Sequence, residues 1–147
     1  MKKPKLHKQE KSYSCAVSCL RTVLEFYGIK EDEKTLRIKS KTKFYGTHPN
    51  SIADCAKSYG FDAYVSALNL SKLLELISQD IPVIANILKY ADNEFYIHSV
   101  VVYRIEKGFV YFLDPEDGER NLDIDLFESL WQRNDYTAIV IHLVRGN

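Results

Sequence analysis

Apolar residues first recur at helical spacing over residues 15–27, where Ala16, Cys19, Leu20, Val23, Leu24 and Tyr27 fall on one stripe. Ser12 and Ser14 stand just before it as candidate caps, and Gly28 follows as a natural stop. The spacing predicts a second, more polar helix over residues 32–40. A third follows Thr47-His48-Pro49 and ends at Gly60, with Pro49 in its first turn and Ile52, Cys55, Ala56 and Tyr59 inward. A fourth runs from Ser71, as its cap, to Gln79, with Leu73, Leu74 and Ile77 apolar. Beyond that point the period changes. Residues 82–88 read as a buried strand. Residues 98–106 and 109–113 are rich in Val, Tyr and Phe, and Lys107-Gly108 makes a tight turn between them. The run Asp114-Pro115-Glu116-Asp117-Gly118 has strong turn chemistry. A short helix over residues 125–132 and a last strand over residues 137–144 complete the pattern. Helices fill the first half and mainly antiparallel strands the second, which is an α+β arrangement, not alternating βαβ.

Composition adds bounds. The 147 residues suit one domain spanning residues 1–147, and 46% apolar with 27% charged residues is an ordinary globular balance. Twenty basic residues offset twenty acidic ones, so nothing argues for a nucleic-acid partner. The one local excess is basic, over residues 1–11, and reads as a solvated tail. No apolar run approaches the ~20 residues that span a bilayer, so no integral membrane segment is expected. The opening MKKPKLHKQEKS has the charge of a signal-peptide start but no apolar stretch behind it. Three cysteines, an odd number, fit reduced thiols in a cytoplasmic protein.

Three residues carry candidate chemistry. A thiol is a useful nucleophile only as thiolate, and a helix N-terminus favours that charge. Cys15 sits at such an N-terminus. Cys19 and Cys55 lie inside helices and read as small core residues. Of the four histidines, His7 lies in the basic tail, His48 in a cap region and His142 in the last strand. His98 opens the apolar strand Ser99-Val100-Val101-Val102-Tyr103, which could hold it rigid at the mouth of a cleft. With the turn at Lys107-Gly108, residue 114 falls roughly opposite the start of that strand, beside His98. A carboxylate there would fix the imidazole tautomer and stabilise the imidazolium. Each residue also has an ordinary structural reading: a core cysteine, a strand histidine, and an Asp-Pro turn. No zinc-ligand spacing and no phosphate-binding glycine loop is present, so neither metal nor cofactor is expected.

The segment Gln9-Glu10-Lys11-Ser12-Tyr13-Ser14-Cys15, followed by Ala16 through the Tyr27-Gly28 helix end, resembles the opening of peptidase family C39, the bacteriocin-processing cysteine peptidases. Gly46-Thr47 with Ala56 to Gly60, the strand from His98, Asp114-Pro115 with Gly118, and Phe127 to Trp131 resemble its later segments. The likeness covers nearly the whole chain. It implies a papain-like fold of N-terminal helices on a mainly antiparallel sheet. It further implies that Cys15 attacks a peptide carbonyl, His98 moves the proton, Asp114 orients His98, and Gln9 with the Cys15 backbone N–H binds the oxyanion. Ser14 and Ala16 depart from the Asp and Gly that usually flank the cysteine, which suggests a narrower cleft beside it.

Well-known members of the family are domains of membrane exporters that cut leader peptides after a double glycine. The implied partner is thus a peptide or protein substrate, with association with a separate transporter open. An acyltransferase on the same scaffold and a non-catalytic peptide-binding domain are the alternative readings. The loops at residues 41–48 and 90–96 are the expected cleft walls.

Overall fold

The computed structural model describes residues 2–144. Three helices come first: α1 (Cys15–Phe26), α2 (Glu33–Lys39) and α3 (Pro49–Ser58). Next are β1 (Phe61–Ala67), α4 (Leu70–Ser78), β2 (Val83–Ala91), β3 (Glu94–Glu106), β4 (Phe109–Asp114), β5 (Gly118–Asp123), α5 (Ile124–Gln132) and β6 (Thr137–Leu143). The strands form one antiparallel sheet in the order β1-β6-β2-β3-β4-β5. This is the α+β class expected from the sequence.

Alternation along the strands divides the interior in two. Ile84, Val101, Leu113, Ile139 and Ile141 face α1, α2 and α3, where Leu20, Leu24, Leu36 and Ile52 meet them. Val83, Ala85, Val100, Val102, Phe112 and Val140 face α4 and α5, against Leu73, Ile77, Phe127 and Trp131. Trp131 is fully buried among aromatic neighbours, with ring centroids 6.2 Å from Phe127 and 5.2 Å from Tyr136, and its Nε1 donates to the Thr137 carbonyl at 3.0 Å. Trp131→Ala is expected to cost about 3–5 kcal/mol. The check is a urea melt, with a lower midpoint at an unchanged slope.

Local chemistry explains most element ends. Gly28, at φ +96°, takes the left-handed conformation that ends the α1 turn. Asp32 caps α2 by accepting from the Thr35 N–H at 2.7 Å, and His48 Nδ1 caps α3 by accepting from the Asn50 N–H at 3.1 Å.

Several expectations are corrected. Asn69, not Ser71, caps α4, accepting from the Lys72 N–H at 2.7 Å. Ser14 stands at the N-cap of α1 but makes no cap bond; its hydroxyl is spent elsewhere, as described below. Neither β1 nor β5 is among the strands expected from the sequence: both are edge strands, paired on one side only, and β5 (GERNLD) is polar because apolar alternation is not required at an edge. Residues 90–96 are not a loop. β2 and β3 pair as far as Ala91↔Glu94, and Asp92-Asn93, with φ of 53° and 63°, form the tight turn of the hairpin tip.

The basic N-terminal segment is not a solvated tail. Pro4 is buried, Leu6 packs on the core, the His7 carbonyl accepts from the Ser18 hydroxyl at 2.7 Å, and Lys3 pairs with Glu119. The segment lies along α1 and reaches the turn after β4.

Candidate active site

Cys15 is the first residue of α1, so its side chain lies beside helix N–H groups that have no intrahelical acceptor. The end of a 12-residue helix also presents partial positive charge there. Cys19 and Cys55, by contrast, are core residues, and burial pushes the Cys19 thiol well up.

His98 lies on β3 and is 1% exposed. What brings Asp114 to it is an irregularity between β3 and β4. Glu106 pairs with Phe109 and Arg104 with Tyr111, but Val102 pairs with Phe112 and Val101 with Leu113. Tyr103 is therefore a bulge residue. Continuing the shifted register sets Asp114 opposite Val100, two residues from His98 and of the same side-chain parity. Without the bulge Asp114 would oppose Val101, and its side chain would fall on the other face. As built, His98 Nε2 and Asp114 Oδ1 are 2.7 Å apart in a fully buried contact. Nε2 is committed there, which leaves Nδ1 as the ring nitrogen for Cys15.

Asp114 is 0% exposed and fully bonded. Besides His98, Oδ1 accepts from the backbone N–H groups of Glu116 (2.8 Å) and Asp117 (3.3 Å), so the same oxygen shapes the Asp-Pro turn and faces the imidazole. Oδ2 accepts from Lys89 Nζ at 2.9 Å and Arg120 Nη1 at 3.0 Å. Lys89 also reaches Glu116 at 3.1 Å and Asp117 at 2.7 Å. The Tyr96 hydroxyl donates to Glu116 Oε1 at 2.7 Å, and the Tyr96 ring stands edge-on to His98.

The electrostatics follow. Burial pushes the Asp114 carboxyl up, but the bonds from His98 and Lys89 outweigh it and keep the carboxyl far below the usual range. Burial disfavours a charged His98, yet Asp114 and Cys15 together raise its pKa to about 9. Burial also disfavours a Cys15 thiolate, but hydrogen bonding to His98, the His98 charge and the Ser99 backbone N–H bring the thiol below its ordinary value. The directions of both shifts favour a thiolate–imidazolium pair. Ser99 is itself fixed, its hydroxyl donating to Asn86 Oδ1 at 2.7 Å.

Gln9 lies in the docked N-terminal segment. Its backbone N–H donates to the Pro115 carbonyl at 2.9 Å, which ties it to the residue after Asp114. Its Nε2 donates to the Lys11 carbonyl at 2.8 Å, while Oε1 is buried without a partner among the described residues. An amide nitrogen has two N–H groups, so one orients the side chain and the second is uncommitted.

His98, Asp114 and Glu116 could each offer one ligand atom to a metal, all within 4.8 Å of one another. The Lys89 ammonium already bridges Asp114 and Glu116, so their charge is met from within the protein. Sequence alone gives Lys89 and Arg120 no role, and places Glu116 only in a turn and Tyr96 only in an expected cleft wall. A lysine next to an exposed hairpin tip reads as solvated, and nothing local links it to a turn 25 residues on. The other expected cleft wall, residues 41–48, is a tight turn closed by Lys43 and Gly46, with Phe44 and Tyr45 largely exposed.

Residues 3–141 match the profile of the Peptidase C39 family. The chain belongs to this family. It is accordingly a cysteine peptidase, a hydrolase. Over 125 residues it is 31% identical to the lactococcin-G-processing and transport ATP-binding protein LagD of Lactococcus lactis subsp. lactis, covering 84% of this chain and 17% of LagD. The chain spans less than a fifth of the length of the curated relatives it matches. The fold of this C39 peptidase is that of the peptidase domain of Streptococcus ComA, with a TM-score of 0.82 at 24% identity over 97% of this chain and 100% of that one. A double glycine motif protease from an AMS/PCAT transporter, solved with its leader peptide, gives a TM-score of 0.80 at 17% identity, over 97% and 93% of the two chains. No helix among the described residues of this C39 peptidase is long and apolar enough to cross a membrane.

Proposed function

We propose that this C39 peptidase cleaves a peptide bond with Cys15 as nucleophile, His98 as proton carrier and Asp114 as the group that orients it. The observation that carries this reading is the buried 2.7 Å contact between His98 and Asp114 beside a thiol drawn down by that same histidine. The Cys15 thiolate adds to the scissile carbonyl. The uncommitted N–H of Gln9 and the Cys15 backbone N–H bind the oxyanion that forms. The imidazolium of His98 protonates the departing amine, and the carbonyl remains as a thioester on Cys15. A water molecule, deprotonated by His98, then releases the acid and restores the thiol.

The substrate we propose is a leader peptide cut after a double glycine. A double glycine motif protease that binds its leader peptide shares this fold, and LagD, the processing and transport protein, shares 31% of its residues with the chain over the matched segment. On this reading the peptidase acts as one domain on the cytoplasmic side, either alone or beside a transporter.

The test is a synthetic peptide carrying one Gly-Gly pair, incubated with the protein and read by mass spectrometry. A single cut after the second glycine with a free carboxylate is expected. Gln9→Ala is expected to slow that cut about 100- to 1000-fold, the usual cost of losing an oxyanion donor. Cleavage at other positions would reject the double-glycine reading, and a product joined to an added amine in place of the acid would indicate acyl transfer.

A further inference from the structure

Glu33 is a buried carboxylate, 0% exposed, in the first turn of α2. A surface acid would serve the helix dipole equally well there. Burial costs a carboxylate its hydration, so its partners define its role. Oε1 accepts the backbone N–H of Glu10 at 3.0 Å and the Ser14 hydroxyl at 3.2 Å. Oε2 lies 3.1 Å from Arg37 Nε, and Arg37 also reaches Glu10 Oε1 at 3.4 Å. Glu10 directly follows Gln9, and Ser14 directly precedes Cys15.

A single oxygen of Glu33 thus holds both ends of the loop between Gln9 and Cys15. Inside the loop the Lys11 carbonyl does the same, accepting from Gln9 Nε2 (2.8 Å), the Ser14 hydroxyl (2.9 Å) and the Ser14 N–H (3.2 Å). The single Ser14 proton lies between Lys11 and Glu33, while its oxygen accepts from the Lys11 N–H at 3.0 Å. This explains why Ser14 does not cap α1.

We infer that Glu33 is a positioning residue that sets, through Glu10 and Ser14, the separation of the two oxyanion donors, the Gln9 side-chain amide and the Cys15 backbone N–H. The inference rests on the roles proposed above for Gln9 and Cys15. Oxyanion donors act only when they are aimed at the place where charge develops, and a misplacement of about 1 Å costs on the order of 100-fold. Loss of Glu33 removes the acceptor of the Glu10 N–H and one of the two acceptors of the Ser14 hydroxyl together, so the loop is loosened at both ends at once and is held only by the Lys11 and Pro115 carbonyls.

Two reactions of Cys15 separate this role from a purely structural one. Alkylation by iodoacetamide needs the thiolate but develops no oxyanion. Cleavage of the Gly-Gly peptide needs both. Glu33→Ala is expected to lower kcat by about 30- to 100-fold with KM within about threefold, and to leave the alkylation rate within about twofold. Glu33→Gln keeps an oxygen for both bonds and is expected to restore kcat to within about threefold of the parent. Unchanged kcat in Glu33→Ala, equal losses in both variants, or alkylation that falls together with kcat would each overturn the inference. If Glu33→Ala does not fold, Ser14→Ala carries the test: about a tenfold lower kcat with unchanged alkylation supports the role, and unchanged kcat overturns it. Cleavage that persists in Cys15→Ala is a different outcome, because it removes the nucleophile reading and not the loop geometry.

Discussion

Cys15→Ala is expected to reduce cleavage of a Gly-Gly peptide by about a millionfold, the order of loss seen when a hydrolase of this type loses its nucleophile. Neither Cys19 nor Cys55 can substitute, since both are buried in the core and the Cys19 thiol is pushed up by burial. The substitution is mild for the fold. Alanine favours helix, and Cys15 is only partly buried at the end of α1. Thermal unfolding within a few degrees of the parent, together with the lost cleavage, is the expected pair of results. Cleavage at the parent rate would mean that the bond is broken elsewhere, and parent-like peptide binding in a parent that never cleaves would favour a binding domain.

Asp114→Asn is expected to lower kcat/KM by about 10⁴-fold, the cost of a mis-set imidazole in such a triad. The amide keeps the shape of the carboxylate and can still accept the Glu116 N–H, so the turn persists while the charge goes. The sign of the accompanying pH effect is fixed. The Asp114 charge favours imidazolium and helps to raise His98 to about 9. Without it the charged form loses support, the His98 pKa falls towards the ordinary ~6.5, and the basic limb of the rate profile moves down. Glu116 Oε1, 3.4 Å from His98 Nε2, and the Cys15 thiolate remain to favour imidazolium, so the fall is incomplete. A kcat/KM profile against pH measures both the drop and the shift; a basic limb unmoved by the substitution would contradict the assignment of Asp114.

The candidate site was legible where chemistry and local pattern coincide. The apolar stripe from Ala16 to Tyr27 places the start of α1 at Cys15, and the turn at Lys107-Gly108 sets Asp114 near His98 on the preceding strand. That count of residues could not reveal the bulge at Tyr103, which decides the face on which Asp114 emerges. Gln9 entered through family likeness alone, because an isolated glutamine in a basic stretch carries no pattern. The docking of residues 2–14 was hidden because it depends on a backbone bond to the Pro115 carbonyl and on the hydroxyl of Ser18, eleven residues from its partner His7, and not on apolar periodicity. β5 was hidden because an edge strand paired on one side needs no apolar face, and Lys89 because its three carboxylate partners lie on a distant turn. Elements with a buried stripe were read from sequence; contacts made by single polar groups over long separations were not.

The central claim is that Cys15 and His98 form a thiolate–imidazolium pair. Its most direct test is the rate of Cys15 alkylation by iodoacetamide as a function of pH, in the parent and in His98→Ala, with buried Cys19 and Cys55 as internal controls. The account predicts that Cys15 reacts well below the ~8.5 of a free thiol, and that His98→Ala returns it to an ordinary thiol profile or above. A Cys15 that titrates as an ordinary thiol in both proteins would contradict it.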